Sequence, residues 1–115
     1  MLAAMGAEVV TEIIEGGGRR ISITGQPELS PQSFVVPGDP SSAAFPTVAA
    51  VVTDGSSVRL RNVCLNPLRT GLYTSLMEMG ADIAIENQHT AGGEDVGDMV
   101  ISGRQLTGVE VPAGR

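Results

Sequence analysis

The sequence predicts an α/β fold built from a βαβαββ unit, and three observations support this prediction. Hydrophobic residues make up 42% of the 115 residues and aromatic residues only 3%, so the core has to be aliphatic. From residue 34 onward, the predicted order is strand, helix, strand, helix, strand, strand. Three segments also recur in the same order at offsets of 74 to 78 residues, which indicates an internal repeat.

The repeat is made of three pairs of similar segments: residues 4–9 and 78–83, 21–25 and 99–103, and 36–37 and 111–112. The chain therefore spans about one and a half periods. It begins and ends out of phase with its own repeat, so we expect a fragment of a longer chain.

The first third of the chain predicts short elements separated by glycine and proline. They are, in order, a helix end at residues 2–5 closed by Gly6, a strand at 7–14, a hairpin loop at 15–19, a strand at 20–24, a loop at 26–33 and a short strand at 34–36. The glycine run at residues 16–18 does not lead from a strand into a helix, so it favours a hairpin turn over a phosphate loop.

Two helices are predicted from a shared start signal. Asp39-Pro40 and Asn66-Pro67 each place a favoured N-cap residue before a Pro at the first helical position. The second helix runs from Pro67 to about Met79, and Gly80 closes it. Its predicted core face is formed by Leu68, Leu72, Leu76 and Met79.

The first helix runs to about Val52 but contains Pro46, which removes a backbone hydrogen bond inside a helix. Two alternatives remain open. Either the helix kinks at Pro46, or residues 39–45 form a separate tight turn and the regular helix starts near Phe45.

The remaining predicted strands are residues 57–65, then 81–86 and 98–102 paired around a loop at 87–97, and a last short strand at 109–111. In the first of these, Val58 and Leu60 alternate with Arg59 and Arg61. This alternation predicts one buried and one solvated face.

Charge and cysteine content narrow the function classes. The net charge is -6, with seven Arg and no Lys, so no basic face for nucleic acid is expected. The longest apolar stretch, near residues 48–52, is too short to span a membrane. Cys64 is alone and cannot form a disulfide within the chain, which fits a reducing cytoplasm. We expect a cytoplasmic protein without nucleic-acid or membrane partners.

Four residues are candidates for a ligand site. Asp39, Ser41 and Ser42 stand at a predicted helix N-terminus, where free N–H groups favour anions, although capping alone would also explain them. Arg69 stands in the predicted first turn of the second helix, where a cation opposes the helix dipole. It either meets an anion or another domain, or it is simply solvated.

Other polar side chains favour structural roles. Cys64 is expected to be a buried thiol, and His89 a surface residue in a polar loop. Glu94, Asp95 and Asp98 are expected to form a solvated acidic loop. No metal site is expected, because a single His without nearby Cys or His supplies too few ligands.

Several segments together resemble the enolpyruvyl transferases. The most specific are residues 36–46, which contain Gly-Asp-Pro-Ser-Ser, and residues 66–72, which contain Asn-Pro-Leu-Arg-Thr-Gly. The other matching segments are residues 61–63, 78–83 and 91–96. The chain is most similar to the branch that acts on shikimate 3-phosphate, in its bacterial glyphosate-tolerant class II form. The pairing of the two most specific motifs argues against the related branch that acts on UDP-N-acetylglucosamine.

The resemblance implies an inside-out α/β barrel of repeated βαβαββ units, divided between two domains that close on the substrates. It implies that residues 1–33 end one unit and that residues 34–115 supply the next unit and the start of another. In the family, the 5-hydroxyl of shikimate 3-phosphate adds to phosphoenolpyruvate and phosphate then leaves. No cofactor is implied, and Asp39 is placed near the substrate cleft between domains.

The chain departs from the family where the chemistry is done. It has no Lys, and the family's phosphate-binding Lys and Arg clamps and its catalytic Asp and Glu have no counterparts in it. We therefore expect no transferase activity from this chain alone. Its expected partners are the two substrates in the parent, the rest of the parent chain and, through edges left bare by excision, a second copy. The alternative is a non-catalytic, stand-alone folding or interaction module of the same fold.

Overall fold

The structure, a computed structural model, describes residues 1–114, and it divides into two compact units. The first unit is Met1–Val35 and the second begins at Val36. The predicted α/β class is confirmed, since the second unit combines two helices with three strands. Within residues 1–114, no helix combines the length and the apolar character that crossing a membrane requires.

The first unit is an antiparallel hairpin that follows a short helical turn. A 3-10 helix at Ala3–Met5 ends at Gly6, which adopts φ 104° as the sequence predicts. Strands β1 (Val9–Ile13) and β2 (Arg19–Ile23) then pair in register. Gly16-Gly17 between them have φ values of 88° and 83°, so the glycine run is a hairpin turn.

The second unit contains two helices and a three-stranded antiparallel sheet. The elements are α1 (Pro40–Val52), β3 (Ser57–Cys64), α2 (Gly71–Glu78), β4 (Asp82–Ala91) and β5 (Glu94–Ser102). The strand order is β3-β5-β4, so β5 is central.

One face of this sheet forms an aliphatic core with both helices. On the sheet, two rows of paired residues supply it: Val58, Ile101 and Ile83, and Leu60, Met99 and Ile85. Val51 of α1 and Tyr73 and Leu76 of α2 complete the cluster. Arg59 and Arg61 are exposed, while Val58 and Leu60 are half-buried, which confirms the predicted alternation along β3. Cys64 is buried, as expected.

Three predictions about strands are wrong. Residues 87–97 are not a long loop, because β4 and β5 continue to a two-residue turn at Gly92-Gly93, with φ values of 60° and 86°. Most side chains near this end of the hairpin are polar and exposed, so the sequence shows no alternation there. The short strands at 34–36 and 109–111 do not form among residues 1–114. The β-branched residues of these two segments favour extended backbone, but neither segment pairs with a strand of the described chain. The isolated bridge near the first segment joins Gly38 to Val63.

Helix α1 runs without a break through Pro46, which excludes a separate turn at residues 39–45. The missing N–H of Pro46 would have bonded the carbonyl of Ser42, four residues earlier. Both residues are exposed, so water can satisfy that carbonyl.

Helix α2 begins at Gly71 and not at Pro67. Leu68 precedes the helix and is 80% exposed, and Leu72 is also exposed, so the predicted four-residue core face is wrong at these two positions. Tyr73 and Leu76 form the buried face, with Met79 packed against the core. Gly80 has φ 97° and ends the helix region as predicted.

Candidate functional site

Asp39 caps α1 with its side chain. Its backbone is extended, and its Oδ2 accepts hydrogen bonds from Ser42 N at 2.9 Å and Ser42 Oγ at 2.8 Å. Pro40 follows at the first helical position, where its missing N–H leaves no helical bond unmade. The predicted helix start is confirmed here residue by residue.

Asn66-Pro67 opens a closed turn and not a helix. Asn66 Oδ1 accepts from Leu68 N at 3.0 Å, and the Asn66 carbonyl accepts from Arg69 N at 2.8 Å. Arg69 therefore lies in a turn ahead of α2, and the predicted conflict with that helix's dipole does not arise. The turn gives Arg69 a different geometry from the one that the sequence predicts.

The four candidate residues come together at the start of α1. Arg69 Nη2 donates to Asp39 Oδ1 at 2.6 Å and to Ser41 Oγ at 3.0 Å. Asp39 thus uses one carboxylate oxygen for Ser42 and the other for Arg69. The sequence separates the two charged residues by 30 positions and gives no signal that they pair.

The pKa of Asp39 lies below its ordinary value of 3.8. The main causes are the hydrogen bonds from the Ser42 hydroxyl and the Ser42 N–H, and smaller contributions come from Ser41 N–H and Arg69. Asp39 is therefore ionised at neutral pH. Because only Nη2 makes the two contacts, the guanidinium can present its other N–H donors to a further anionic group.

A shallow groove of about 260 Å³ runs beside this pair, and Cys64, Asn66 and Glu94 line it together with residues 36–40 and Arg69. Glu94 Oε2 accepts from Asn66 Nδ2 at 3.1 Å and from Cys64 Sγ at 3.8 Å. Sequence reasoning missed Glu94 as a neighbour of the site, because it placed Glu94 in a solvated loop. The pairing of β5 with β3, which sets Val96 opposite Cys64 and brings Glu94 to the groove, leaves no pattern in the sequence.

The predicted loop is wrong, because Glu94, Asp95 and Asp98 belong to β5 and His89 belongs to β4. His89, Glu94 and Asp95 are nevertheless exposed, as expected. The three carboxylates take separate partners: Glu94 bonds Asn66, Asp95 bonds Thr90 and Asp98 bonds Asn62. Among residues 1–114, no three His, Cys, Asp or Glu side chains are grouped so that they could hold a metal ion.

Comparison with known proteins assigns the chain to a family. Residues 1–113 match the family model of EPSP synthase (3-phosphoshikimate 1-carboxyvinyltransferase). The 3-phosphoshikimate 1-carboxyvinyltransferase of Paramagnetospirillum magneticum is 55% identical over 115 residues, and that of Methylorubrum extorquens is 56% identical over 117. In each case the match covers 100% of this chain and 26% of the relative.

Solved structures agree with this assignment. An EPSP synthase from Acinetobacter baumannii aligns with a TM-score of 0.86 and 43% identity, over 96% of this chain and 24% of that one. The chain thus spans about a quarter of the length of the curated relatives it matches. These relatives are enzymes by name, which does not favour a non-catalytic module. The chain belongs to the EPSP synthase family.

Proposed function

We propose that this chain is part of a 3-phosphoshikimate 1-carboxyvinyltransferase, which moves the enolpyruvyl group from phosphoenolpyruvate to shikimate 3-phosphate in aromatic amino-acid biosynthesis in the cytoplasm. One observation carries the proposal. The two most specific motifs of the family resemblance, in residues 36–46 and 66–72, meet in space through the 2.6 Å ion pair between Asp39 and Arg69.

Within that enzyme, we propose that Asp39, Ser41, Ser42 and Arg69 line the substrate cleft. Both substrates carry phosphate and carboxylate groups, and a guanidinium binds such groups through paired N–H donors. Asp39 and Ser41 would hold the guanidinium in one orientation, so that binding needs little further ordering of the side chain. The pair is about half exposed, at 49% for Arg69 and 44% for Asp39, which leaves it open to a ligand.

The chain alone is proposed to be inactive. It contains no Lys, so the cationic clamps that two phosphates require would come from other parts of the parent. Helix α1 also has apolar residues on its outer side, where Phe45 is 80% and Val52 65% exposed. A helix that is apolar all round is normally buried, so we propose that the rest of the parent chain covers it, and that a second copy does so when the chain is isolated.

The test is steady-state kinetics of the full-length protein that carries this chain. Arg69→Gln is expected to raise the KM for at least one substrate about tenfold, because a charge-assisted contact is lost. Arg20→Gln is the matched control, since Arg20 pairs only loosely with Glu12 at 3.8 Å in the first unit. A full-length protein without transferase activity would overturn the function. An active protein with unchanged kinetics in Arg69→Gln would overturn the site alone.

The isolated 115-residue chain tests the expected inactivity. A coupled phosphate-release assay with both substrates should show no turnover above a buffer blank. Turnover by the purified chain would mean that the cationic residues proposed to lie elsewhere are not needed.

A further inference from the structure

Asp98 stands at the centre of the exposed face of the second unit's sheet, and both of its oxygens are engaged. Oδ1 accepts from the backbone N–H of Asn62 at 2.9 Å, and Oδ2 accepts from Asn87 Nδ2 at 3.0 Å. Arg59 approaches Oδ2 at 3.6 Å, and its main partner is Glu86 at 2.7 Å. The Asp98 side chain is only 18% exposed. Asp98 thus connects all three strands of the sheet.

Asn62 and Asn87 are unusual in their backbone. They have φ values of 55° and 52°, in the left-handed region that Asn tolerates better than most side chains. Each lies in a bulge, because the register shifts between Leu60 and Val63 on β3 and between Glu86 and His89 on β4. The two bulges flank β5 at residues 97 and 98, and one carboxylate bonds to both Asn residues.

The bulge on β3 leads directly to the candidate site. The carbonyl of Asn62 accepts from Gly38 N at 2.6 Å, and the Gly38 carbonyl accepts from Cys64 N at 3.0 Å. A Cβ on Gly38 would stand 3.4 Å from the Asn62 carbonyl oxygen, so the two backbones approach closely. Gly38 immediately precedes Asp39. Two hydrogen bonds and one peptide link therefore connect the Asp98 carboxylate to the residue that holds Arg69.

We propose that Asp98 is a positioning residue for the Asp39–Arg69 pair, acting through the left-handed backbone of Asn62 and its bond to Gly38. The proposal rests on the proposed function only in giving that pair a role with substrates. Asp98 touches neither the pair nor the groove beside it, and its effect is to fix where α1 begins.

Both carboxylates have other charged neighbours. Arg59 on β3 and Glu86 on β4 face Asp98, and the charge of Arg61 also acts on it. Around Asp39 are Arg69 from the turn before α2 and the Tyr73 hydroxyl of α2, with Glu94 of β5 and Cys64 of β3 along the groove. The pKa of Asp98 is lowered, first by the Asn62 N–H and then by Asn87, so the carboxylate is ionised at neutral pH.

The test is Asp98→Asn in the 115-residue chain, followed by NMR, with no substrate present. An amide at position 98 offers two donors, Asn62 N–H and Asn87 Nδ2, only one acceptor oxygen and no negative charge, so its bonds to both bulges weaken. We expect the pKa of the Asp39 carboxyl to rise toward 3.8, because its Ser42 and Arg69 contacts weaken. The substitution should accelerate amide exchange at Gly38 and Cys64 about tenfold more than it accelerates exchange at the core of β5.

The sign of the pKa change separates positioning from charge alone. Removing a negative charge from the sheet would by itself lower the pKa of Asp39, whereas loosening its contacts raises it. A lowered or unchanged Asp39 pKa, or amide exchange accelerated equally throughout the second unit, would overturn the proposal. Kinetics of Arg69→Gln test the proposed function separately, because the NMR readout uses no ligand.

Further variants guard against a simple loss of folding. Asn87→Gly keeps a residue suited to positive φ and removes only one donor, so a smaller shift in the same direction is expected. The double change Asp98→Asn with Asn87→Asp restores a donor–acceptor pair and should return Asp39 toward its original pKa. Glu86→Gln, on the same face, removes the 2.7 Å ion pair with Arg59 but no contact to Asn62, and should leave Gly38 exchange unchanged.

Discussion

Asp39-Pro40 and Asn66-Pro67 present the same two-residue signal, yet the chain continues differently after each. After Asp39 the helix begins at once, and the Asp39 side chain accepts a hydrogen bond from the N–H of Ser42, three residues later. After Asn66 the side chain accepts from the N–H two residues on, and a turn closes before the helix starts at Gly71.

The residues after each signal explain the difference. Pro40 is followed by Ser-Ser-Ala-Ala, which suit the first turn of a helix, and Ser42 supplies both donors for the cap. Pro67 is followed within four residues by Gly71, whose conformational freedom disfavours continuing a helix. Thr70 has φ -104° and ψ 11°, outside the helical region, so the turn ends there. An Asx-Pro pair thus marks a start but does not specify whether a helix or a turn comes next.

The difference matters for the site. Because Arg69 stands in a turn, its guanidinium reaches back to the start of the other segment and bonds Asp39. In a helix beginning at Pro67, Arg69 would have lain in the first turn, where the helix dipole opposes a cation. The turn after Asn66-Pro67 therefore supplies the cation of the candidate site, Arg69, and the helix start at Asp39-Pro40 supplies its carboxylate.

The largest expected effect comes from weakening the core against which both helices pack. Met99→Ala empties a fully buried position that pairs with Leu60 and Ile85 beneath both helices. We expect a loss of about 2 to 5 kcal/mol in the free energy of unfolding, measured by urea denaturation. Met77→Ala is the matched control, since Met77 is 43% exposed and should change stability little. Equal losses in both would mean that Met99 is not packed as described.

The sequence predicted this shared framework better than it predicted the site. Helix boundaries marked by a single residue are confirmed, namely the helix ends at Gly6 and Gly80 and the N-cap at Asp39, because local chemistry decides them. The β4–β5 hairpin was missed beyond residue 86, since long polar strands bonded through bulges show no alternation. The 1–33 and 34–115 repeat boundaries and the cleft role of the four candidates stay predictions. The Asp39–Arg69 contact depends on tertiary geometry that no local pattern encodes.

A smaller effect is expected from cutting the direct link between the two segments. The Tyr73 hydroxyl of α2 donates to the Pro40 carbonyl at the first residue of α1, in a buried setting. Tyr73→Phe removes that donor but keeps the ring in the core. The free energy of unfolding should fall by about 0.5 to 1.5 kcal/mol, read from the midpoint of urea denaturation.

The same variant has a signature at alkaline pH. Burial, and then the charge of Asp39, raises the pKa of Tyr73 above its ordinary value of 10.0. The unfolded chain then loses this proton first, so the stability due to Tyr73 is full below pH 10 and falls as pH rises through the folded pKa. The difference in stability between the wild type and Tyr73→Phe should shrink above pH 10. A difference that stays constant to about pH 11 would contradict a buried, bonded hydroxyl.

The smallest effect is expected from exchanging the two capping side chains. Asp39→Asn keeps a good cap, because its one amide oxygen can still accept from Ser42, but an NH2 donor replaces the oxygen that accepts from Arg69, so that contact is lost. Asn66→Asp keeps the acceptor for Leu68 N but replaces the donor that bonds Glu94 with a second carboxylate. Because these contacts are exposed, we expect each variant to lose about 1 kcal/mol or less in the free energy of unfolding, measured by urea denaturation at pH 7. Gln88→Glu is the control, because it adds the same charge at an exposed site on β4.

The double exchange, Asp39→Asn with Asn66→Asp, tests whether the capping side chain determines that a helix follows Pro40 and a turn follows Pro67. If the capping side chain itself selected helix or turn, the exchange would lengthen α2 toward Pro67 and shorten α1. We expect neither, because Asn and Asp cap comparably and Gly71 remains in place. Backbone chemical shifts of residues 40–43 and 67–71 should keep their helical and turn values. The small cost of Asn66→Asp should vanish at low pH as carboxylates take up protons, while the turn persists, since an Asx turn needs only an acceptor oxygen.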